Sequence, residues 1–262
     1  MRVLSIAATG MSAQQTNVEV IANNIANANT TGFKRSRAEF TDLLYQMEKN
    51  SSVPSANDQN LIPEGAQLGL GVRLSSIRSI NIQGAMANTG NQFDLAINGA
   101  GWFQVKGAAG QTIYTRAGSL NTDANGQLVT ANGLPVEPAI TIPPDTLSVT
   151  VNKSGQVFAK VAGSTTDTNI GQMTLANFAN PAGLKALGDN MFEATDASGA
   201  ATVGNPGDTA FGVVEQGYLE QSNVDPVQEI TDLISAQRVY ELNSKVIQAA
   251  DDMSSVITKG LR

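Results

Sequence analysis

The sequence holds no cysteine and no histidine. The first absence removes disulfides and thiolate metal sites. The second removes serine–histidine–acid triads and the usual zinc ligands, which need a group titrating near neutral pH or a soft donor. No cofactor, no metal and no enzymatic activity are expected. Aromatic residues make up only 5% and charged residues only 15% of the 262 positions. With 25 glycines and 41% hydrophobic residues, that is the profile of a turn-rich β protein with a real core. The net charge of −7 argues against nucleic acid or anionic lipid as a partner. No apolar run reaches the roughly 20 residues of a membrane span, so no membrane insertion is expected. The opening "MRVLSIAATGMSAQQ" has an apolar stretch, Val3 to Ala8, that Ser5 interrupts and that falls short of a leader core. No cleaved signal peptide is expected.

What is present falls into three textures. Between Val3 and Asn29, Leu4, Met11, Val18 and Ile25 recur every seven residues, with Ala7, Gln14, Ile21 and Ala28 three positions later. That heptad pattern predicts one helix about 40 Å long, stopping at "NANTTGF", where Gly32 can take a left-handed conformation. Residues 225 to 259 predict a second long helix, with Asp225 as N-cap and Pro226 at its first position. It carries two apolar lines about 100° apart. Leu233, Ala236, Tyr240, Ile247, Ala250 and Ile257 form one; Val239, Leu242, Val246, Ala249, Met253 and Val256 form the other. Two lines imply more than one neighbour.

From Phe93 to Val203 the period is two, with turn signals at Asn98-Gly99, Asn125-Gly126 and Asn132-Gly133, which predicts an antiparallel β domain. Residues 44 to 74 keep no period and predict a long extended arm, with Tyr45, Leu61 and Leu74 along it. The expected fold is α+β. The terminal helices, 1–33 and 224–262, pair as a coiled coil; 34–90 and 204–223 form the arm and connection; 91–203 form the inserted all-β domain.

Candidate chemical motifs reduce to turns and solvated faces. "NTDANG" at 121–126 begins like a calcium loop, but position 132 is Asn where a bidentate Glu is needed, so a hairpin turn is expected. Asp251 and Asp252 are adjacent on a helix and point about 100° apart, and neither they nor Asp94 form a paired-carboxylate site. Lys34, Arg35 and Arg37 read as a small basic knot just past the first helix, complementing its dipole at the surface.

The first helix poses the real question. Glu19 is its only charge between Val3 and Phe33, and Gly10 and many asparagines lower its intrinsic helicity. A nearly neutral helix can lie against copies of itself without repulsion, with side-chain amides bonding sideways. Gln14, Asn17 and Asn24 are the expected polar face toward a channel or a neighbour. Leu4, Met11, Val18, Ile21 and Ile25 should form a seam with Leu233, Tyr240, Val246, Ile247 and Met253.

The residues "MSAQQTNVEVIANNIANANTTGFKRSRAEFTDLLYQ" and "GYLEQSNVDPVQEITDLISAQRVYELNSKVIQAADDM" strongly resemble the two ends of bacterial flagellar rod and hook proteins. "DLAINGAGWFQV" and "YTRAGSLNTDANGQLVTANGLPVEP" are similar to the β domain of the distal rod type, and "LIPEGAQLGLGVRL" to its stiffening extra stretch. The resemblance implies a structural subunit polymerising into a rigid helical tube that transmits torque and encloses an export channel. It implies as partners further copies of the chain, proximal rod proteins, the hook protein, outer ring (bushing) proteins and the flagellar export apparatus. It places the protein in the flagellar basal body, spanning the periplasm. A proximal rod or hook-type role within the same family is the runner-up reading, and a secreted β-rich binding module a more distant one.

Overall fold

The structure, a computed structural model, describes residues 2–49, 66–163 and 166–260. Leu61 of the expected arm lies outside them. The chain divides into two compact units: Met1–Ile25, Ser36–Arg78 and Asp225–Arg262 form one, and Ala26–Arg35 with Ser79–Val224 the other.

The helical unit holds α1, Arg2–Ala26, and α2, Pro226–Gly260. Both form where the apolar periodicity places them. The α1 chain leaves the helix through a turn in which Thr30 N–H donates to Asn27 O. At the start of α2 the Asp225 side chain accepts from Val227 N at 2.9 Å and from Gln228 N at 3.4 Å, an N-cap serving two orphan donors. The two helices run antiparallel. Asn24 meets Glu229 and Gly10 meets Asn243, positions two heptads apart in opposite chain directions. At the second meeting point a Cβ on Gly10 would stand 2.9 Å from Asn243 Nδ2, so a larger residue at position 10 would require the Asn243 side chain to turn aside.

The described parts of the expected arm form a β-ribbon in the same unit. Tyr45–Lys49 pairs antiparallel with Ala66–Gly69, and Ser36–Asp42 pairs with Val72–Ser79. The sequence showed no strand period here because apolar residues occupy both faces: Leu44, Tyr45, Met47, Leu68 and Leu70 are all exposed. A two-stranded ribbon with no buried face is marginal in water on its own.

The β unit holds a seven-stranded sheet in which Trp102–Lys106 and Thr112–Thr115 sit centrally, flanked by Leu175–Asn177 and Met191–Glu193. A three-stranded sheet, Thr146–Val151, Gln156–Val161 and Thr168–Gln172, lies in the same unit. Phe103, Leu95, Ile97, Val157 and Leu175 are sealed in its main core. Strand alternation puts Trp102 on the opposite face, in a second cluster with Tyr114 and Phe178, where its ring meets Phe192 edge-on at 4.9 Å. The close approach of two backbones fixes one residue type: a Cβ at Gly118 would lie 1.5 Å from Leu95 O. The predicted turns at Gly99, Gly126 and Gly133 all have positive φ. "NTDANG" closes the hairpin of Leu120–Thr122 with Leu128–Thr130, Asp123 Oδ1 accepting from Asn125 N and Gln127 N. Residues 79–90 and 204–223, expected as connections, carry strands of this unit instead, Met86–Asn88 pairing with Tyr218–Glu220 and Leu95–Asn98 with Val213–Gln216.

Candidate assembly surface and the buried ion-pair hub

The residues expected at the helix seam divide into two groups. Ile21 is buried, and Leu4, Met11, Val18, Ile25, Leu233 and Ile247 are half-buried. Tyr240, Val246 and Met253 are 42%, 44% and 60% exposed, as are Leu242 at 59% and Val256 at 68%. One apolar line of α2 thus faces α1; of the second, Val239 to Val256, Val246 borders a cavity lined by Val3, Ile6, Ala7 and Gly10 of α1, and the rest faces outward. An outward line of this length is the kind of patch a solitary soluble protein avoids.

The polar residues of α1 sit differently from expectation. Gln14, Asn17 and Asn24 share the heptad positions of Gly10 and Ala7, the side that meets α2. Gln14 and Asn17 are half-buried, and Asn24 is 1% exposed. Asn24 donates to Ser36 O at 2.8 Å and accepts from Ser36 N at 2.9 Å, and its amide also reaches Glu229 Oε2 at 3.2 Å. It is an internal clasp holding α1, the chain after it and α2 together. The open side of α1 is Ser5, Ala8, Ser12, Gln15, Glu19 and Ala22, small and almost uncharged. Of the arm residues, Tyr45 and Leu74 are exposed.

The two stretches that carry the family resemblance, "TTGFKR" and "GYLEQSNV", meet in the β unit. Gly32 N donates to Glu220 O at 2.8 Å, and Arg35 N donates to the Asn223 side chain, whose amide in turn bonds Ile80 O and Ile82 O. Gly32 has φ 72°, and a Cβ there would lie 2.8 Å from Ala117 N.

Lys34, expected in an exposed basic knot, is 4% exposed. Its ammonium lies 2.5 Å from Glu220 Oε1 and donates to Ile82 O at 2.9 Å. Arg116 takes the other oxygen of Glu220, its Nε and Nη2 each 2.8 Å from Oε2. Its remaining N–H groups bond the carbonyls of Gly99, Gly101 and Ile97. Glu220 Oε1 also accepts from Gly84 N. Two cations therefore share one carboxylate, with side chains 2%, 6% and 0% exposed. Sequence reasoning missed this hub because nothing local marks residues 104 and 186 positions apart as partners.

Burial pushes the Glu220 carboxyl upward, but the charge of Arg116 and the hydrogen bond from Lys34 together overcome it and hold it below the usual carboxylate value. Burial draws the Lys34 ammonium below its ordinary value, against the pull of Glu220. Because the folded state lowers the pKa of Glu220, the unfolded chain binds the proton more readily, and stability falls as pH drops through the folded value. We expect the melting temperature of the native chain, measured at constant ionic strength, to fall below about pH 4, and to fall less in Glu220→Gln. Equal pH dependence of the two proteins would show that this carboxylate is not charged in the fold.

No group of histidine, cysteine, aspartate and glutamate suited to a metal occurs among the described residues, and none of their helices is long and apolar enough to cross a membrane. Known proteins match every part of this architecture. The family model described as flagella basal body rod protein matches residues 4–34. Flagellar hook protein FlgE/F/G D1 domain matches 96–159, and flagellar basal body rod FlgEFG protein C-terminal matches 215–259. Flagellar basal-body rod protein FlgG of Agrobacterium fabrum is 58% identical over 262 residues, covering 100% of both chains. The protein of the same name from Caulobacter vibrioides is 52% identical over 97% of both. That of Buchnera aphidicola subsp. Schizaphis graminum is 46% identical over 95% of this chain and 96% of its own. With helices, β unit and the hub's two motifs all inside these matches, the chain belongs to the flagellar basal-body rod protein family.

Proposed function

We propose that this rod subunit polymerises into the rigid helical tube of the distal rod, which transmits torque from motor to hook and encloses the export channel. The observation that carries the proposal is the outward apolar line of α2, formed by Val239, Leu242, Met253 and Val256, which the lone chain leaves exposed. In the tube, α1 and α2 pair as a coiled coil forming the inner wall, and the outward line of α2 packs on the next copy. The small, nearly neutral side of α1, Ser5 to Ala22, lines the channel, where few charges hinder passing chains. This replaces Gln14, Asn17 and Asn24 as the channel-facing set.

The ribbon strands Tyr45–Lys49 and Ala66–Gly69, with Leu74 on Val72–Ser79, are wedged between neighbouring copies and set stiffness. The β unit, inserted between the helical ends, stands outside. Its contacts run to proximal rod proteins at one end of the tube, the hook protein at the other, and the outer ring around it. The export apparatus delivers the chain unfolded to a basal body that spans the periplasm, and the protein carries out no catalysis. Sedimentation velocity of the purified chain at rising concentration tests the reading. Growing polymers are expected, and a single monomer boundary at all concentrations would contradict it.

A further inference from the structure

The hub leaves an unbalanced charge next to open space. Lys34 and Arg116 carry two positive charges against the single Glu220 carboxylate, and all three side chains are at least nine-tenths buried. Arg116 uses every N–H it has: Nε and Nη2 on Glu220, Nη1 on Gly99 O and Gly101 O, and Nη2 again on Ile97 O. Lys34 does not. An ammonium has three N–H donors, and two are taken, by Glu220 and Ile82 O. The residual charge and the residual donor therefore coincide on one buried nitrogen.

Beside it lies a cavity of about 230 Å³ lined by Lys34, Arg116, Asn81, Gln83, Trp102 and Asn177, with no carboxylate on its walls. Two further donors there are unused among the described residues. The Asn81 amide makes no side-chain hydrogen bond, and the Trp102 indole N–H has no acceptor. Among the described residues no sealed side-chain nitrogen lacks a partner, so the indole N–H borders open space although Trp102 is 4% exposed. The carbonyls nearby, at Gly99 and Gly101, are already occupied by Arg116. A site with excess positive charge, where the spare donors on Lys34, Asn81 and Trp102 outnumber the spare Asn81 amide oxygen, disfavours cations and favours a small anion, because charge-assisted hydrogen bonds are strong at a nearly buried ammonium.

We propose that this cavity binds a small oxyanion or carboxylate, held by Lys34 with Asn81 and Trp102. The site is complete within the β unit and does not depend on polymerisation. Trp102 is the only tryptophan of the chain and stands in the wall, so its emission reports occupancy directly.

The test titrates the full-length chain with sodium phosphate and, separately, sodium acetate against chloride at constant ionic strength, reading Trp102 fluorescence and the melting temperature. A saturable emission change is expected, with a melting rise of roughly 5 to 10 °C at a hundredfold excess over half-saturation. Lys34→Met removes the charge and should abolish both responses. Asn81→Asp, which leaves the hub intact, places a carboxylate inside the cavity; it should abolish both and raise the melting temperature in chloride alone. No saturable change in the native chain, or equal changes in native and Asn81→Asp proteins, overturns the proposal. A second arm, resting on the assembly reading, separates free anion from a carboxylate of a neighbouring copy: phosphate slows polymer growth if the copy supplies the group and leaves growth unchanged if the anion is free.

Discussion

Glu220→Ala should lower the stability of the β unit by about 3–5 kcal/mol, the usual cost of removing one partner from a buried ion pair. Two cations would be left facing each other at 2% and 6% side-chain exposure with no counter-charge. The loss extends beyond electrostatics. The carboxylate also accepts from Gly84 N, and it is the point where the segment after α1 meets the strand Tyr218–Glu220. Equilibrium urea unfolding followed by Trp102 emission reads the change. Glu220→Gln is expected to lie between native and alanine proteins, since it keeps the shape and one acceptor but loses the charge. A loss under about 1 kcal/mol for alanine would mean that the three side chains are held by packing and not by their pairing.

The second large effect concerns association rather than folding. Leu242→Asp combined with Met253→Asp changes two residues that are 59% and 60% exposed in the lone chain, so monomer stability should move by less than about 0.5 kcal/mol. In the proposed polymer the same positions would be buried against another copy, where each carboxylate would lose its hydration and each aliphatic contact would be gone. The critical concentration for polymerisation should rise at least about a hundredfold, equivalent to about 2.7 kcal/mol. Sedimentation at rising concentration and a thermal melt of the monomer separate the two effects. Polymerisation at the native concentration would show that the outward line of α2 is not an assembly surface.

How much of this was legible in the sequence depends on how far apart the interacting residues are. The helices follow from period and cap, both within one turn of the residues concerned, and Asp225 marks the start of α2 as local chemistry requires; Gly32, expected to stop α1, lies six residues past its end at Ala26 and donates to Glu220 O instead. The Asn-Gly turns were legible for the same reason. The ribbon was not, because strands are recognised by alternation and Leu44, Tyr45 and Met47 put apolar side chains on both faces. Asn24 shows a subtler limit. An asparagine on a helix looks the same whether its amide faces solvent or bonds Ser36 and Glu229, and the partner 205 positions away decides which. Lys34 sat in a basic run that composition assigns to the surface, and only the fold brings Glu220 and Arg116 to it. Both misplaced residues are polar groups whose burial depends on partners supplied by the opposite end of the chain or the middle of it.

These placements bear on how the subunit reaches its working state. The β unit closes on its own core and hub. The helical ends keep one apolar line uncovered and contain glycine and asparagine at positions where a solitary helix would favour alanine. In the proposed tube such ends would gain most of their order from neighbours, which would favour addition to an existing tip over spontaneous nucleation.

Amide hydrogen exchange of α2 between Val239 and Val256, compared in monomer and polymer, tests this most directly. Exchange in the monomer should be fast, near that of a fraying helix, and at least about a hundredfold slower in the polymer, while the strands around Phe103 stay protected in both. Equal, strong protection of α2 in the two states would contradict an assembly driven by this uncovered line.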